Sequence, residues 1–301
     1  MKFPLPLLGA VLWSAAVGAQ SAEPLIQRPL TLRAGEGSLT LHGTYTNWDF
    51  SNVNAGLTEP GPSPLAGETL AAGVDFGVTD QVQLGLAVAL PVHPGFAFGS
   101  ILGGASLALD PHAALRLDAG YERVGVNGAD VRNDHVGRYF GGLGLPLKVS
   151  FSSAVAFVSG RTGAVQFGHF NNMGSGGTGI YFGVGPFTDL STDILVFEGG
   201  SDNSGTSIGF NLPVGLLVQP DPHFAFTLQA GYSAVIVTSG TSAALHYLPI
   251  GLEAVLSPVR ALDLGVRFSF DGYVAHSGDG RGLDFGYFDT RALMFWLRLQ
   301  T

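Results

Sequence analysis

The chain has 301 residues, a net charge of -9, and only 12% charged residues, about half the share usual in soluble globular proteins. That acidic balance excludes a nucleic-acid partner, which would need a basic surface, and the lack of cysteine excludes disulfide staples and thiol chemistry. Mean hydropathy is +0.31, yet beyond the N-terminus no apolar run approaches the ~18 residues of a spanning helix.

The N-terminal stretch MKFPLPLLGAVLWSAAVGAQ places a basic residue at Lys2, an apolar core over 5–16, and small residues at Val17, Gly18 and Ala19. This is the pattern of a Sec signal peptide (residues 1–19) cut after Ala19, so the mature chain is expected to be exported. No cysteine follows the cut to carry a lipid anchor, and residues 20–37 are expected to form a periplasmic segment. A single domain is expected over 38–301.

From Ser38 the chain alternates, with Leu39, Leu41, Gly43 and Tyr45 on one parity and Thr40, His42, Thr44 and Thr46 on the other. Period two marks a strand with different surroundings on its two faces. GETLAAGVDFGVTDQVQLGLAVALPV then reads as two strands about a tight turn at Thr79-Asp80. The device returns in ASLALDPHAALRLDAGYERV, GFNLPVGLLVQPDPHFAFTLQAGY and LPIGLEAVLSPVRALDLGVRFSF, each a pair of alternating runs joined by Asp, Pro or Ser. Between the pairs lie long polar connections such as NVNAGLTEPGPSPLAG, GVNGADVRNDH and VAHSGDGRGLDFG. The predicted strands are 38–48, 68–79, 80–91, 98–109, 113–124, 137–149, 153–160, 206–219, 223–237, 243–256, 261–273 and 287–301, about twelve in all. Residues 161–205 form either a long loop folded over or into the mouth, or a further hairpin that raises the count to 14. No stretch carries a helical period, and no linker splits the chain.

Within these runs Asp75, Arg116, Asp118, Glu122, Lys148, Glu253, Asp263, Arg267 and Arg298 all lie on the parity opposite the large apolar side chains. The rest of that parity is Gly, Ala, Thr, Ser, Asn and Gln. A soluble sandwich would turn the apolar rows inward and expose a surface rich in Lys and Glu, which this parity lacks. An all-β antiparallel transmembrane barrel turns the apolar rows to lipid and lines its interior with small and charged residues, and short periplasmic turns alternate with long extracellular loops. The strand lengths suit a tilted crossing. Lipid supplies no hydrogen-bonding partner for an open edge, so the last run, 291–301, is expected to pair with the strand at 38–46.

The closing stretch RALMFWLRLQT resembles the C-terminal assembly signal of bacterial outer-membrane barrels, departing from it where Thr301 stands in place of the usual Phe. FGVTDQVQLGL is similar to the Gly-x-Thr-Asp hairpins of such proteins. With RPLTLRAGEGSLTL near its start and LPVGLLVQPDPHFAFTLQAGY later, the mature chain resembles the outer-membrane family related to the MetA-pathway phenol-degradation proteins. The resemblance implies an outer-membrane transporter or pore, with membrane lipid, lipopolysaccharide and the assembly machinery as partners.

Candidate chemistry is sparse. The histidines at 42, 93, 112, 135, 169, 223, 246 and 276 show no metal-ligand spacing, and no Ser/His constellation suggests a hydrolase. GSGGTG at 174–179 lacks the lysine and the strand–helix context of a phosphate loop. GADVRND and SGDGRGLDFGYFD lack the spacing of a defined calcium loop and read as solvated loops or sites of divalent-ion cross-linking to lipopolysaccharide. Tyr45, Trp48, Phe96, Tyr121, Tyr139, Tyr232, Tyr273, Tyr287 and Phe288 fall near strand ends, as interfacial girdles do. The nine lumen charges are therefore the candidate functional set, and neither a cofactor nor an enzymatic activity is expected. They allow two readings: a wet, weakly selective pore for small solutes, or a salt-bridged closed barrel whose loops do the work.

Overall fold

The computed structural model describes residues 22–49, 65–93, 100–125, 135–159, 193–200, 207–237, 243–277 and 289–301. The predicted signal peptide lies outside the described residues. The strands are β1 (Gly37–Asp49), β2 (Leu65–Gly77), β3 (Val82–His93), β4 (Ser100–Asp110), β5 (Ala113–Gly125), β6 (His135–Gly144), β7 (Leu147–Ser150), β8 (Val155–Ser159), β9 (Asp193–Gly200), β10 (Ser207–Asp221), β11 (Phe224–Val237), β12 (Ala243–Val259), β13 (Leu262–Ser277) and β14 (Asp289–Gln300).

Each strand pairs antiparallel with its neighbours, and the β10–β11 pairing joins the two halves of the sheet order into a ring. The wall has twelve positions because two of them are each shared by a pair of short strands. On one, β6 pairs with β5 along Arg116–Gly125, and β7 continues below it with Ala113 opposite Leu147. On the next, β8 pairs with the lower part of β10 at Gly215–Val218, and β9 pairs with its upper part at Ser207–Gly209. The wall thus has the twelve places expected, filled by fourteen strand segments, and the extra segments come from two split positions rather than from a further hairpin.

Two strand boundaries need correction. The run 137–149 is not one strand but breaks at Leu145-Pro146, because Pro146 has no N–H for the ladder; its carbonyl instead accepts from Ala114 N at 3.0 Å. The run 161–205, read as loop or hairpin, contains one strand, β9, while 160–192 falls outside the described residues. The Thr79-Asp80 hairpin is also looser than read, with 78–81 all in the turn and the Thr79 hydroxyl accepting from Gln81 N and Val82 N at 3.2 and 3.0 Å.

The other short turns follow from their residues. Asp110 accepts from His112 N at 2.5 Å and Asp221 from His223 N at 2.7 Å, so each Asp-Pro-His sequence closes a two-residue loop through its aspartate. Ser152 does the same for Ala154 N and Val155 N, at 3.2 and 3.1 Å. The longer connections at the opposite end lie outside the described residues.

The seam closes as the sequence requires. β1 and β14 pair without a break from Ser38↔Gln300 to Asp49↔Asp289. At its lower end Thr301 N donates to Gly37 O at 3.0 Å, and the Thr301 hydroxyl accepts from Gly37 N at 2.9 Å. The residue that departs from the assembly signal therefore caps the first residue of β1.

Exposure alternates around the wall. Leu70, Val74 and Phe76 of β2 are exposed while Ala71 and Asp75 between them are buried. On β11 Phe224, Phe226 and Leu228 face out while Ala225, Thr227 and Gln229 face in. An outer surface built of Leu, Val and Phe around a polar interior is stable only where the surrounding medium is apolar, which is the arrangement of a membrane barrel.

Candidate functional site: the polar inner wall and the strap across its mouth

The strand period turns the charged parity inward, and cross-strand register decides which charges meet. On β13 Asp263, 1% exposed, lies directly opposite Arg298 of β14. Arg298 donates to Asp263 Oδ2 from Nε at 3.0 Å and from Nη2 at 2.7 Å, and the Ser257 hydroxyl donates to Oδ1 at 2.5 Å. Four residues along, Arg267 sits opposite Glu253 of β12, and its Nη2 donates to Gln229 of β11. Glu253 accepts from the Trp296 indole N–H at 2.9 Å. Trp296 lies across from Gly265, where an added Cβ would overlap the indole ring, and the Arg298 guanidinium stands 5.9 Å from the ring centroid. Buried charges of this kind are tolerable only when paired and hydrogen-bonded.

On the other side of the ring Arg116 pairs with Asp118, two residues on along the same face of β5. Asp75 accepts from Gln83 Nε2 at 3.1 Å and from the Ser38 hydroxyl at 3.2 Å. The side chain of Glu122 lies outside the described residues. Of the nine charges singled out in the sequence, the structure thus pairs Asp263 with Arg298, sets Glu253 opposite Arg267 with Trp296 between the two pairs, and places Asp75, the Arg116–Asp118 pair and Lys148 elsewhere on the wall. Leu217, Leu102, Val255 and Met294 are apolar groups buried on the inner face.

Lys148 binds the strap rather than an acid of the wall. Its ammonium donates to the backbone carbonyls of Leu25, at 3.3 Å, and Arg28. Those residues belong to the segment preceding β1, which the sequence placed simply in the periplasm. In the structure residues 22–36 form a strap across the barrel mouth at the short-turn end. Gln219 of β10 accepts from Ile26 N at 3.1 Å, and Gln83 of β3 accepts from Leu32 N at 2.8 Å. Leu30 N donates to Pro111 O at 3.0 Å, and Ala34 N to Asp80 at 3.1 Å. Arg28 reaches Asp263 with Nη1, 2.9 and 2.8 Å from the two carboxylate oxygens. Ile26 packs on Ala156, Leu217 and Ala225 of the inner wall. The anchors lie on β3, β7, β10 and β13, spread around the ring, so the strap spans the mouth rather than lining one side.

Sequence reasoning missed Arg28 and the strap because a segment without alternation carries no face. One signal was available: the nine predicted charges hold five acids and four bases, one carboxylate more than the cations. No group of three or more metal-ligating side chains occurs among the described residues.

No protein-family model matches the chain, and no curated protein matches it. Among solved structures it is similar to an outer membrane channel from Pseudomonas putida F1, with a TM-score of 0.51 and 10% identity over 91% of this chain and 98% of that one. It is also similar to the translocator domain of the autotransporter NalP from Neisseria meningitidis (TM-score 0.48, 12% identity, 98% of this chain and 95% of that one). The NanC porin gives a TM-score of 0.41 at 9% identity, over 87% of this chain and 98% of that one. The chain folds as a closed antiparallel β-barrel of the outer-membrane type, with twelve strand positions in its wall.

Proposed function

We propose that the protein is an outer-membrane channel for small solutes, exported by a Sec signal peptide cut after Ala19. The observation that carries this reading is the inner wall: it holds charges of both signs together with Gln, Ser, Thr and His, while the outer wall is apolar. A lumen of that composition is made to hold water and polar solutes, and its mixed charge gives weak ion selectivity. The resemblance to the MetA-pathway phenol-degradation family and the likeness to an outer membrane channel support the same class of function. Lipopolysaccharide at the outer surface and the assembly machinery at β14 are the partners this reading implies.

A second reading has its own observation. The strap and the Asp263 and Glu253 networks fill part of the lumen, as a structural barrel with a closed interior would require. Planar-bilayer recording on purified protein separates the two. Discrete current steps whose cation–anion preference moves toward cations in Arg267→Glu support the channel, whereas a silent bilayer with both proteins supports the closed barrel.

A further inference from the structure

We infer that residues 22–29 are the gate of this channel: the releasable end of a strap that turns into the mouth at Gly35, is tied by Leu30 to Pro111 and is latched by Arg28 onto Asp263, opening the mouth when the latch releases. The inference rests on the channel reading above.

The two ends of the strap are held differently. Next to β1 it is tied by backbone. Gly35 N donates to Gly77 O at 2.8 Å, and Gly77 N donates to Glu36 O at 2.9 Å. Gly35 has φ of +80°, a left-handed conformation that lets the chain reverse from β1 into the mouth, and Glu36 N donates to Arg33 O at 3.0 Å across that turn. Beyond Leu30, toward the N-terminus, every described hydrogen bond or ion pair to the wall is made by a side chain: Lys148, Gln219, Arg260 and Asp263. Side chains can change rotamer and let go without disturbing a ladder, so the strap has one fixed end and one releasable end.

The released state also leaves few broken groups behind. Asp263 keeps Arg298 and Ser257 when Arg28 departs, so its buried carboxylate is not orphaned. Lys148 and Arg28 exchange their partners for water in an opened lumen. The strap carries its own turn, with Gln27 N and Arg28 N both donating to Pro24 O at 2.8 and 3.1 Å, and that turn needs no wall. Its apolar hold is Ile26 and Leu25 against Ala156, Val158, Leu217 and Ala225, with Ala22 also buried.

The chain has no cysteine, so introduced thiols report on the strap alone. Ile26 is buried, and a cysteine there is reached by a membrane-impermeant maleimide only when the strap lifts. We expect Ile26→Cys to label slowly in the folded barrel and at least about tenfold faster when combined with Arg28→Ala. Arg28→Ala alone raises the open probability in planar bilayers. Ile26→Cys/Ala156→Cys, oxidised, stays shut and regains the unmodified current after reduction. Equal labelling with and without Arg28→Ala, or equal current from the oxidised and reduced double mutant, overturns the gate. A chain lacking 20–32 distinguishes the two failures: silence there overturns the channel reading, while the labelling rates judge the latch without reference to current.

Discussion

Asp263 serves three partners on the inner wall, accepting from Arg28, Arg298 and Ser257 while almost wholly buried. Replacing it with Ala leaves two guanidinium groups facing each other, and Arg298, with its side chain 30% exposed, can recover water only in part. We expect Asp263→Ala to cost about 3 kcal/mol, toward the lower end for removing one partner of a buried pair, and Asp263→Asn to cost less because it keeps an acceptor. The midpoint of urea unfolding of the purified barrel checks both. Gly265 offers a test of a different kind. An added methyl there overlaps the Trp296 ring, so Gly265→Ala should push the indole off the wall and break its bond to Glu253. Overpacking of this kind costs about 1–3 kcal/mol, and a shift in the intrinsic fluorescence spectrum of the folded protein would report the displaced ring.

For the strands, the decisive property is which parity meets lipid. Phe268 of β13 is 48% exposed on the outer face, and its neighbour Arg267 is buried within. Phe268→Arg should block membrane insertion, since a cation on the lipid face near mid-depth costs about 2–4 kcal/mol. The same test applies to Leu297, which lies opposite Leu41 of β1 in the seam and Leu264 of β13 on its other side. Gln300→Arg, on the inward parity two residues from Arg298, should be tolerated. Folding into lipid vesicles, read as protease-resistant barrel, separates the classes. This alternation was the part of the fold most open to sequence reasoning, because each strand carries its own record of inside and outside. The split of 137–149 was less open: one proline in a run that otherwise alternates marks a weak point but does not say whether the strand bends or breaks.

At the scale of the molecule, closure is what makes the barrel cooperative. Every wall position has two hydrogen-bonded neighbours, including β1 and β14, so unfolding cannot start from a free edge. Purified protein should therefore migrate faster on a gel when unheated than when boiled, and should leave the membrane only with detergent. Recovery as a soluble monomer from a periplasmic extract would contradict the membrane barrel outright. The strap adds contacts from four strands around the ring, so its loss should lower the heat needed to convert the folded band without abolishing it.

The sequence by itself determined the architecture. A two-residue period, small and charged residues on one parity, and Asp-containing short turns leave a membrane barrel with the last strand sealing the first, because each of these signals is local to one strand or one turn. What only the tertiary structure decided was how the inward residues meet. Asp263 and Arg28 are far apart in the chain, and no strand period relates them; they meet because the ring brings the short-turn end of β13 beneath a strap that folds back at Gly35. Register likewise set Glu253 against Arg267 and laid Trp296 on Gly265. Alternation tells a side chain which face it occupies, but its partner across a closed wall depends on strand stagger and ring closure, and these exist only once the whole chain has folded.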